Sequence, residues 1–159
     1  NLINLKPDYL SIHLSGGVRM VKEVVSIKNN TKILGITMLT SLDNSDLKSF
    51  GYNSSNLDYV ENLAKIGEKA GIDGLVSSAD EIPHLKKYLN NTNMLFVTPG
   101  IRLSQNKMND QKRINSPGQA IKNGSKMLII GRSITQSGDP INSLKCILQD
   151  IEKHYEDKN

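Results

Sequence analysis

The sequence predicts an α/β protein built on a parallel β-sheet, and three observations support this fold class. Five short apolar segments alternate with longer amphipathic segments along the 159 residues. The apolar segments are almost continuously hydrophobic, as is typical of parallel strands that are covered on both faces. Each of them ends in, or is followed by, Gly, Ser, Thr or Pro, residues that mark the passage from a strand into a turn.

The five predicted strands are Tyr9–Ser15, Lys32–Thr40, Ile72–Ser78, Met94–Thr98 and Met127–Ile130. In the first strand, Leu10 and Ile12 alternate with Ser11 and His13. Because successive side chains of a strand point to opposite faces, we expect the two apolar residues to face the helices and the polar ones to face away. For His13 we expect a satisfied core residue rather than a catalyst.

The amphipathic segments predict helices over Val18–Ile27, Asn56–Ala70, Ala79–Leu89, Ser116–Asn123 and about Pro140–Tyr155. Gly71 and Gly124 follow two of them as C-terminal stops, and Ser116-Pro117 is typical of a helix start. Alternating strands and helices indicate a parallel sheet that is covered by helices and joined by right-handed crossovers.

The length limits the domain organisation. A chain of 159 residues is long enough for one domain and too short for two ordinary ones, so we expect residues 1–159 to form a single domain. A complete (β/α)₈ barrel needs about 200–250 residues or more. Five units therefore fit either a short doubly wound sheet or part of a barrel. The chain begins at Asn1 without an initiator methionine, which indicates processing or a longer reading frame.

The composition argues against several classes of partner. The net charge is +4, but the 20 basic residues are scattered and aromatic residues make up only 4%, which argues against nucleic-acid binding. No apolar run approaches the ~18 residues of a membrane span, and no leader is recognisable, so we expect a cytoplasmic protein without membrane contact. The single cysteine, Cys146, excludes an internal disulfide and a multi-cysteine metal site.

Two predicted strand ends carry the strongest functional signal. In parallel α/β folds, ligands bind at the carboxyl ends of the strands. One end reads Thr98-Pro99-Gly100-Ile101-Arg102, and the other reads Gly131-Arg132. Glycine lets a phosphate approach backbone N–H groups, and arginine makes forked, charge-assisted bonds to phosphate oxygens. Each end alone fits a structural turn equally well, but the two together favour a phosphate-ester site.

Other polar residues extend this site. The polar segment 103–113 is typical of a lid over a substrate, and Gln111 within it has both a donor and an acceptor. Thr40-Ser41 fits a contact to an amide-like ring edge and a cap of the next turn equally well. No residues have metal-ligand spacing. Because no lysine, aspartate or glutamate stands at a predicted strand end, we assign no catalytic residue.

Taken in order, these motifs resemble those of bacterial orotidine 5′-phosphate decarboxylases. The resemblance rests on His13–Gly17, Thr37–Ser41, Gly71–Ser78, Thr98–Arg102, Asp110–Ile114 and Ile130–Thr135. It implies a (β/α)₈ barrel, usually dimeric, that converts orotidine monophosphate to UMP and carbon dioxide without metal or organic cofactor. This chain corresponds to barrel strands four to eight, the C-terminal portion, which makes about five βα units of a partial barrel.

The resemblance also implies roles for single residues. Arg102, Gly131 and Arg132 are expected to hold the phosphate, Gln111 to bridge phosphate and base, and Thr40 to contact the pyrimidine. The family's catalytic Asp-x-Lys-x-x-Asp element has no counterpart in this sequence. We therefore expect an enzyme by family, a decarboxylase of pyrimidine biosynthesis, whose catalytic half is missing, so that this chain alone is inactive.

Two alternatives remain open from the sequence. One is a non-catalytic remnant or subunit that binds nucleotide weakly or not at all. The other is a sister barrel that decarboxylates a sugar phosphate, although the lid and the Leu39-Thr40-Ser41 element favour the nucleotide enzyme. For partners we expect orotidine monophosphate or UMP as small-molecule ligand, and either a homo-oligomer or a requirement for the missing N-terminal half.

Overall fold

Five parallel strands form one sheet in this protein. A computed structural model describes residues 2–103 and 115–156. Its strands are β1 (Tyr9–His13), β2 (Lys32–Ile36), β3 (Gly74–Val76), β4 (Leu95–Thr98) and β5 (Met127–Leu128), which lie in the order β1-β2-β3-β4-β5. All four neighbouring pairs are parallel. The predicted parallel sheet of five strands is therefore confirmed, although all five strands are shorter than the sequence pattern suggested.

Seven α-helices connect and cover the strands of the described chain. They are α1 (Gly17–Ser26), α2 (Asn44–Ser49), α3 (Asn56–Ala70), α4 (Ile82–Tyr88), α5 (Pro117–Asn123), α6 (Arg132–Thr135) and α7 (Pro140–Glu156). The five predicted helices are present. The sequence did not predict α2 and α6, because helices of four to six residues are too short to show a helical period. Among the described residues, no helix is both long and apolar enough to cross a membrane.

Local capping signals explain where the helices begin and end. At the start of α3, the Ser55 hydroxyl accepts a hydrogen bond from the Asp58 N–H at 3.2 Å, and the Asp58 carboxylate accepts one from the Ser55 N–H at 3.3 Å. At its end, Gly71 adopts the left-handed conformation, with φ of 85°. That conformation favours glycine because it has no Cβ. The predicted helix stop at this residue is confirmed.

The main core lies between the sheet and the helices. It contains Leu14, Val21, Ile33, Val60, Leu63, Leu75, Ile82, Leu85 and Phe96, among other buried residues. Leu10 and Ile12 of β1 pack against this cluster, whereas Ser11 and His13 are exposed. The alternation predicted for β1 is therefore confirmed. The expectation of a satisfied core histidine is wrong, because His13 lies on the sheet face that no described helix covers.

We call that uncovered side of the sheet the inner face. Its apolar side chains are more exposed on the two edge strands than on β2 and β4. Val97 and Leu34, on the central strands, are 2% and 7% exposed, but Tyr9 on β1 is 39% exposed. Beside the other edge, Met127 is 36% and Ile129 is 51% exposed. Since β1 and β5 do not pair with each other, the sheet is an open part of a barrel.

A charged cluster links α4 to α3 on the outer surface of the protein. The Glu61 carboxylate lies 2.6 Å from His84 Nε2 and also pairs with the Lys65 ammonium group. The hydrogen bond from Lys65, followed by that from His84, holds the pKa of Glu61 below its usual value. A carboxylate whose pKa is lower in the folded chain than in the unfolded chain stabilises the fold at every pH at which it is ionised in the folded chain.

We expect Glu61→Gln to lower the free energy of unfolding at pH 7 and to lose this effect in acid. The contribution of Glu61 is fully present above its unfolded pKa, near 4.5, and disappears as the pH falls through the lower folded value. Urea denaturation from pH 7 to pH 3 measures it. Glu23→Gln, at an exposed position on α1, is the control. A constant difference between wild type and Glu61→Gln at every pH contradicts the prediction.

Candidate functional site

Arg102 is a buried arginine in the loop that follows β4. Its side chain is held from two sides, since Nη1 donates to the Ile101 carbonyl at 2.8 Å and to the Ser133 hydroxyl at 3.2 Å. The Ser133 hydroxyl in turn lies 3.1 Å from the same Ile101 carbonyl. Residue Arg102 is only 7% exposed. The guanidinium is therefore fixed in place before any ligand arrives.

The backbone around Arg102 is fixed as well. The Arg102 N–H donates to the Asn115 carbonyl at 3.0 Å, and the Asn115 N–H donates to the Gly100 carbonyl at 3.2 Å. Gly100 has a φ of 74°, a conformation that suits glycine. These two hydrogen bonds hold Arg102 next to Asn115, the residue that follows segment 104–114. Gln111, the predicted lid residue, belongs to that segment and lies outside the described residues.

Gly131 and Arg132 begin α6 at the neighbouring strand end. The Gly131 carbonyl accepts hydrogen bonds from the N–H groups of Ile134 at 2.8 Å and Thr135 at 3.1 Å. A Cβ atom placed on Gly131 would meet nothing within 4 Å, so packing inside the chain does not require glycine there. The polar turn predicted after the fifth strand is in fact one turn of helix, α6. The first backbone N–H groups of this helix lie next to Gly131.

The sheet register explains why these two strand ends meet. Thr98 of β4 lies beside Leu128 of β5, and the Ile129 N–H donates to the Thr98 carbonyl at 2.9 Å. Arg102 lies four residues after Thr98, and Arg132 lies four residues after Leu128. Both loops therefore leave the carboxyl end of the sheet side by side. The contact between Arg102 and Ser133 then joins the two loops. The predicted neighbours Arg102, Gly131 and Arg132 are thus brought to one place in the fold.

Thr40 lies at the same carboxyl end of the sheet but follows another strand. Strand β2 ends at Ile36, so Thr40 stands four residues beyond it in a turn, rather than at the end of a longer strand as predicted. It is buried, with 6% exposure. Strand β3 separates β2 from β4. Thr40 and Arg102 therefore lie at the same end of the sheet but are not neighbours.

A small cavity lies at the carboxyl ends of β1 and β2. Its volume is about 120 Å³, and its lining includes His13, Ser15, Thr37 and Tyr59. Burial, followed by the neighbouring Tyr52, raises the pKa of Tyr59. The Thr37 hydroxyl donates to the Val76 carbonyl at 3.0 Å and so ties β2 to β3 at this edge. Five of the nine residues that line the cavity are apolar, so its walls are of mixed character.

Ser133 is the residue that sequence reasoning missed. It is 5% exposed and joins the arginine loop to α6, yet a serine one residue after Gly131-Arg132 carries no signal of its own. Among the described residues, no group of three or more His, Cys, Asp or Glu side chains could hold a metal ion. The site consists of arginines, backbone N–H groups and hydroxyls, which suits an anionic ligand.

These features define a class of protein, a parallel α/β sheet of barrel type with arginines and a glycine turn after its last two strands. Comparison with known proteins then gives the family. The chain belongs to the Orotidine 5′-phosphate decarboxylase / HUMPS family, whose model matches residues 1–147. The resemblance seen in the sequence is therefore confirmed.

Individual relatives agree with this assignment. The orotidine 5′-phosphate decarboxylase of Coxiella burnetii (strain RSA 331 / Henzerling II) is 44% identical over 149 residues, which cover 90% of this chain and 63% of the relative. That of Aquifex aeolicus (strain VF5) is 42% identical over 141 residues, with coverage of 86% and 59%. The chain spans about three fifths of the length of these curated relatives.

Solved structures show the same partial coverage. The orotidine 5′-phosphate decarboxylase from Lactobacillus acidophilus superposes with a TM-score of 0.76 at 27% identity, covering 94% of this chain and 66% of that one. The enzyme from Sulfolobus solfataricus, at 20% identity and a TM-score of 0.62, supports the fold alone. The prediction of a partial barrel is confirmed.

Proposed function

We propose that this chain is the C-terminal portion of an orotidine 5′-phosphate decarboxylase barrel and forms one domain over residues 1–159. In this proposal it supplies the contacts to phosphate and pyrimidine but not the catalytic lysine and aspartates. The observation that carries the proposal is the buried guanidinium of Arg102, tied through Ser133 to the helix that Gly131 and Arg132 begin.

The chemistry of these residues suits a nucleoside monophosphate. A fixed guanidinium needs little further ordering when it binds an oxyanion, and a second arginine beside it adds a forked, charge-assisted contact. Gly131 leaves room for phosphate oxygens to approach the first N–H groups of α6. In this proposal Thr40, beyond the carboxyl end of β2, contacts the pyrimidine, and Gln111, between Leu103 and Asn115 in the sequence, bridges phosphate and base.

Two alternatives differ from this proposal in what they bind. One of them is the sister barrel that decarboxylates a sugar phosphate. The names of the curated relatives at 39–44% identity favour the nucleotide enzyme. The other alternative, a remnant without ligand affinity, predicts no binding of UMP at all.

We expect Arg132→Ala to weaken UMP binding by about 10- to 150-fold. A charge-assisted hydrogen bond to a charged group contributes roughly 1.5–3 kcal/mol, and about 1.4 kcal/mol corresponds to a factor of ten in affinity. Isothermal titration calorimetry of wild type and variant measures the change. The control is Lys126→Ala, which removes an exposed cation just before β5, at the amino end of the strands and away from the proposed phosphate site.

The same titrations separate the alternatives. Equal affinities for the two variants contradict the phosphate assignment of Arg132. A wild-type chain that binds no UMP at high protein concentration contradicts the proposed function and supports the remnant. A wild type that binds ribulose 5-phosphate much more tightly than UMP supports the sugar-phosphate alternative.

A further inference from the structure

The Ser133 hydroxyl lies between the loop after β4 and the first turn of α6. It accepts a hydrogen bond from Arg102 Nη1 at 3.2 Å and donates one to the Ile101 carbonyl at 3.1 Å. The same carbonyl also accepts a hydrogen bond from Nη1 at 2.8 Å. Ile101, Ser133 and Arg102 are 0%, 5% and 7% exposed, so water has little access to this closed ring of hydrogen bonds.

These contacts occupy one end of the guanidinium and leave another edge open. Each Nη atom of an arginine carries two N–H donors, and Nε carries one. The two donors of Nη1 meet two acceptors, the Ile101 carbonyl and the Ser133 hydroxyl. Within the described part of the chain, no residue accepts a hydrogen bond from Nε or Nη2 of Arg102. The Nε–Nη2 edge presents a parallel pair of donors, which is the geometry that binds an oxyanion with two bonds.

We propose that Ser133 is a positioning residue for Arg102, and that it selects the Nε–Nη2 edge of the guanidinium for a phosphate group. The inference rests on the proposed function, in which Arg102 holds the phosphate of a nucleoside monophosphate. Rotation about the Cζ–Nε bond exchanges the two Nη atoms, and the Ile101 carbonyl alone can accept a bond from either. The Ser133 hydroxyl is a second, differently placed acceptor and opposes this rotation. A side chain that is already oriented loses less freedom when the ligand binds.

Ser133→Ala removes this hydroxyl and little else. The Ile101 carbonyl keeps its hydrogen bond from Nη1, and alanine is the better helix former. One N–H of Nη1 loses its acceptor, which frees the guanidinium to turn. Ser137→Ala is the matched control, because the Ser137 hydroxyl also donates to a backbone carbonyl, that of Ile134 at 2.8 Å. Among the described residues, no hydrogen bond joins Ser137 to an arginine.

The first measurement needs no ligand. In the full chain, isotope-labelled on its arginine side chains, NMR follows the exchange between the two Nη atoms of Arg102. Arg102→Lys identifies the signal among those of the four arginines. We expect Ser133→Ala to accelerate the exchange by about tenfold or more, the effect of losing one hydrogen bond from a charged group. Ser137→Ala should change it by less than about twofold. Equal rates in wild type and Ser133→Ala overturn the inference.

Titration with UMP is the second measurement, and inorganic phosphate is titrated in parallel. We expect Ser133→Ala to weaken UMP binding about three- to tenfold, the usual effect of one more side chain that must be ordered on binding. In an Arg102→Ala background, the same substitution should change the affinity by less than about twofold, because Ser133 acts only through Arg102.

The outcomes separate this inference from the proposed function. UMP binding that Ser133→Ala leaves unchanged, or weakens to the same extent without Arg102, contradicts the positioning role and leaves the proposed function standing. A wild type that binds inorganic phosphate but not UMP contradicts the proposed function, and the inference then stands if Ser133→Ala weakens phosphate binding. A wild type that binds neither ligand contradicts both.

Discussion

Orotidine monophosphate incubated with the purified chain alone is expected to decarboxylate no faster than it does in buffer. The family reaction uses a lysine that protonates the developing carbanion and aspartates that preorganise the charge around it. The sequence lacks that Asp-x-Lys-x-x-Asp element. Removal of a single preorganised donor typically costs about 10²–10³ in kcat, so removal of a whole set leaves only substrate binding. Phosphate contacts amplify a catalytic group but do not replace it.

The assay needs a positive and a negative comparison. The whole Coxiella burnetii relative, assayed in parallel, gives the rate of a complete barrel. Turnover that declines with each purification step comes from a contaminating host enzyme. Turnover that copurifies with the chain and disappears in Arg132→Ala would show that the chain catalyses the reaction itself, and the prediction would then be wrong.

Much of the fold could be predicted from the sequence because short-range rules determine it. The apolar runs gave all five strands, and cap residues such as Gly71 and Ser116 placed helix ends to within a residue. The carboxyl ends of β2 and β3 were misjudged for a physical reason. Thr37 and Ser77 are buried, and their N–H groups still donate to the Val76 and Val97 carbonyls of the neighbouring strands, but regular strand pairing ends at the residue before each of them.

The candidate site was predictable only in part. Arg102 and Gly131 could be placed together because parallel strands deliver their following loops to one edge. The contact that joins them, between Arg102 and Ser133, depends on side-chain positions 31 residues apart that no local pattern encodes. The depth of Thr40 in its turn and the helix that begins at Arg132 likewise depend on tertiary packing.

The crossing of α5 and α7 depends on one glycine. The Gly118 N–H donates to the Asp150 carboxylate at 2.7 Å, which satisfies one of the otherwise unpaired N–H groups in the first turn of α5. A Cβ atom at Gly118 would overlap the His154 ring and the Asp150 backbone oxygen. The ring of His154 is itself held by a 2.8 Å hydrogen bond to that oxygen, so the neighbours have little freedom to move away.

Gly118→Ala is therefore expected to destabilise the chain by about 1–3 kcal/mol, the usual cost of overpacking a close contact. Alanine is intrinsically the better helix former by roughly 0.8–1 kcal/mol, which opposes the loss but does not cancel it when a backbone oxygen must shift. Urea denaturation gives the change in the free energy of unfolding. Gly138→Ala is the matched control, because a Cβ atom there meets nothing within 4 Å, and it should lose less than about 0.5 kcal/mol. If Gly118→Ala proves as stable as wild type, the overlap at this contact costs no more than the helix-propensity gain, and the prediction is wrong.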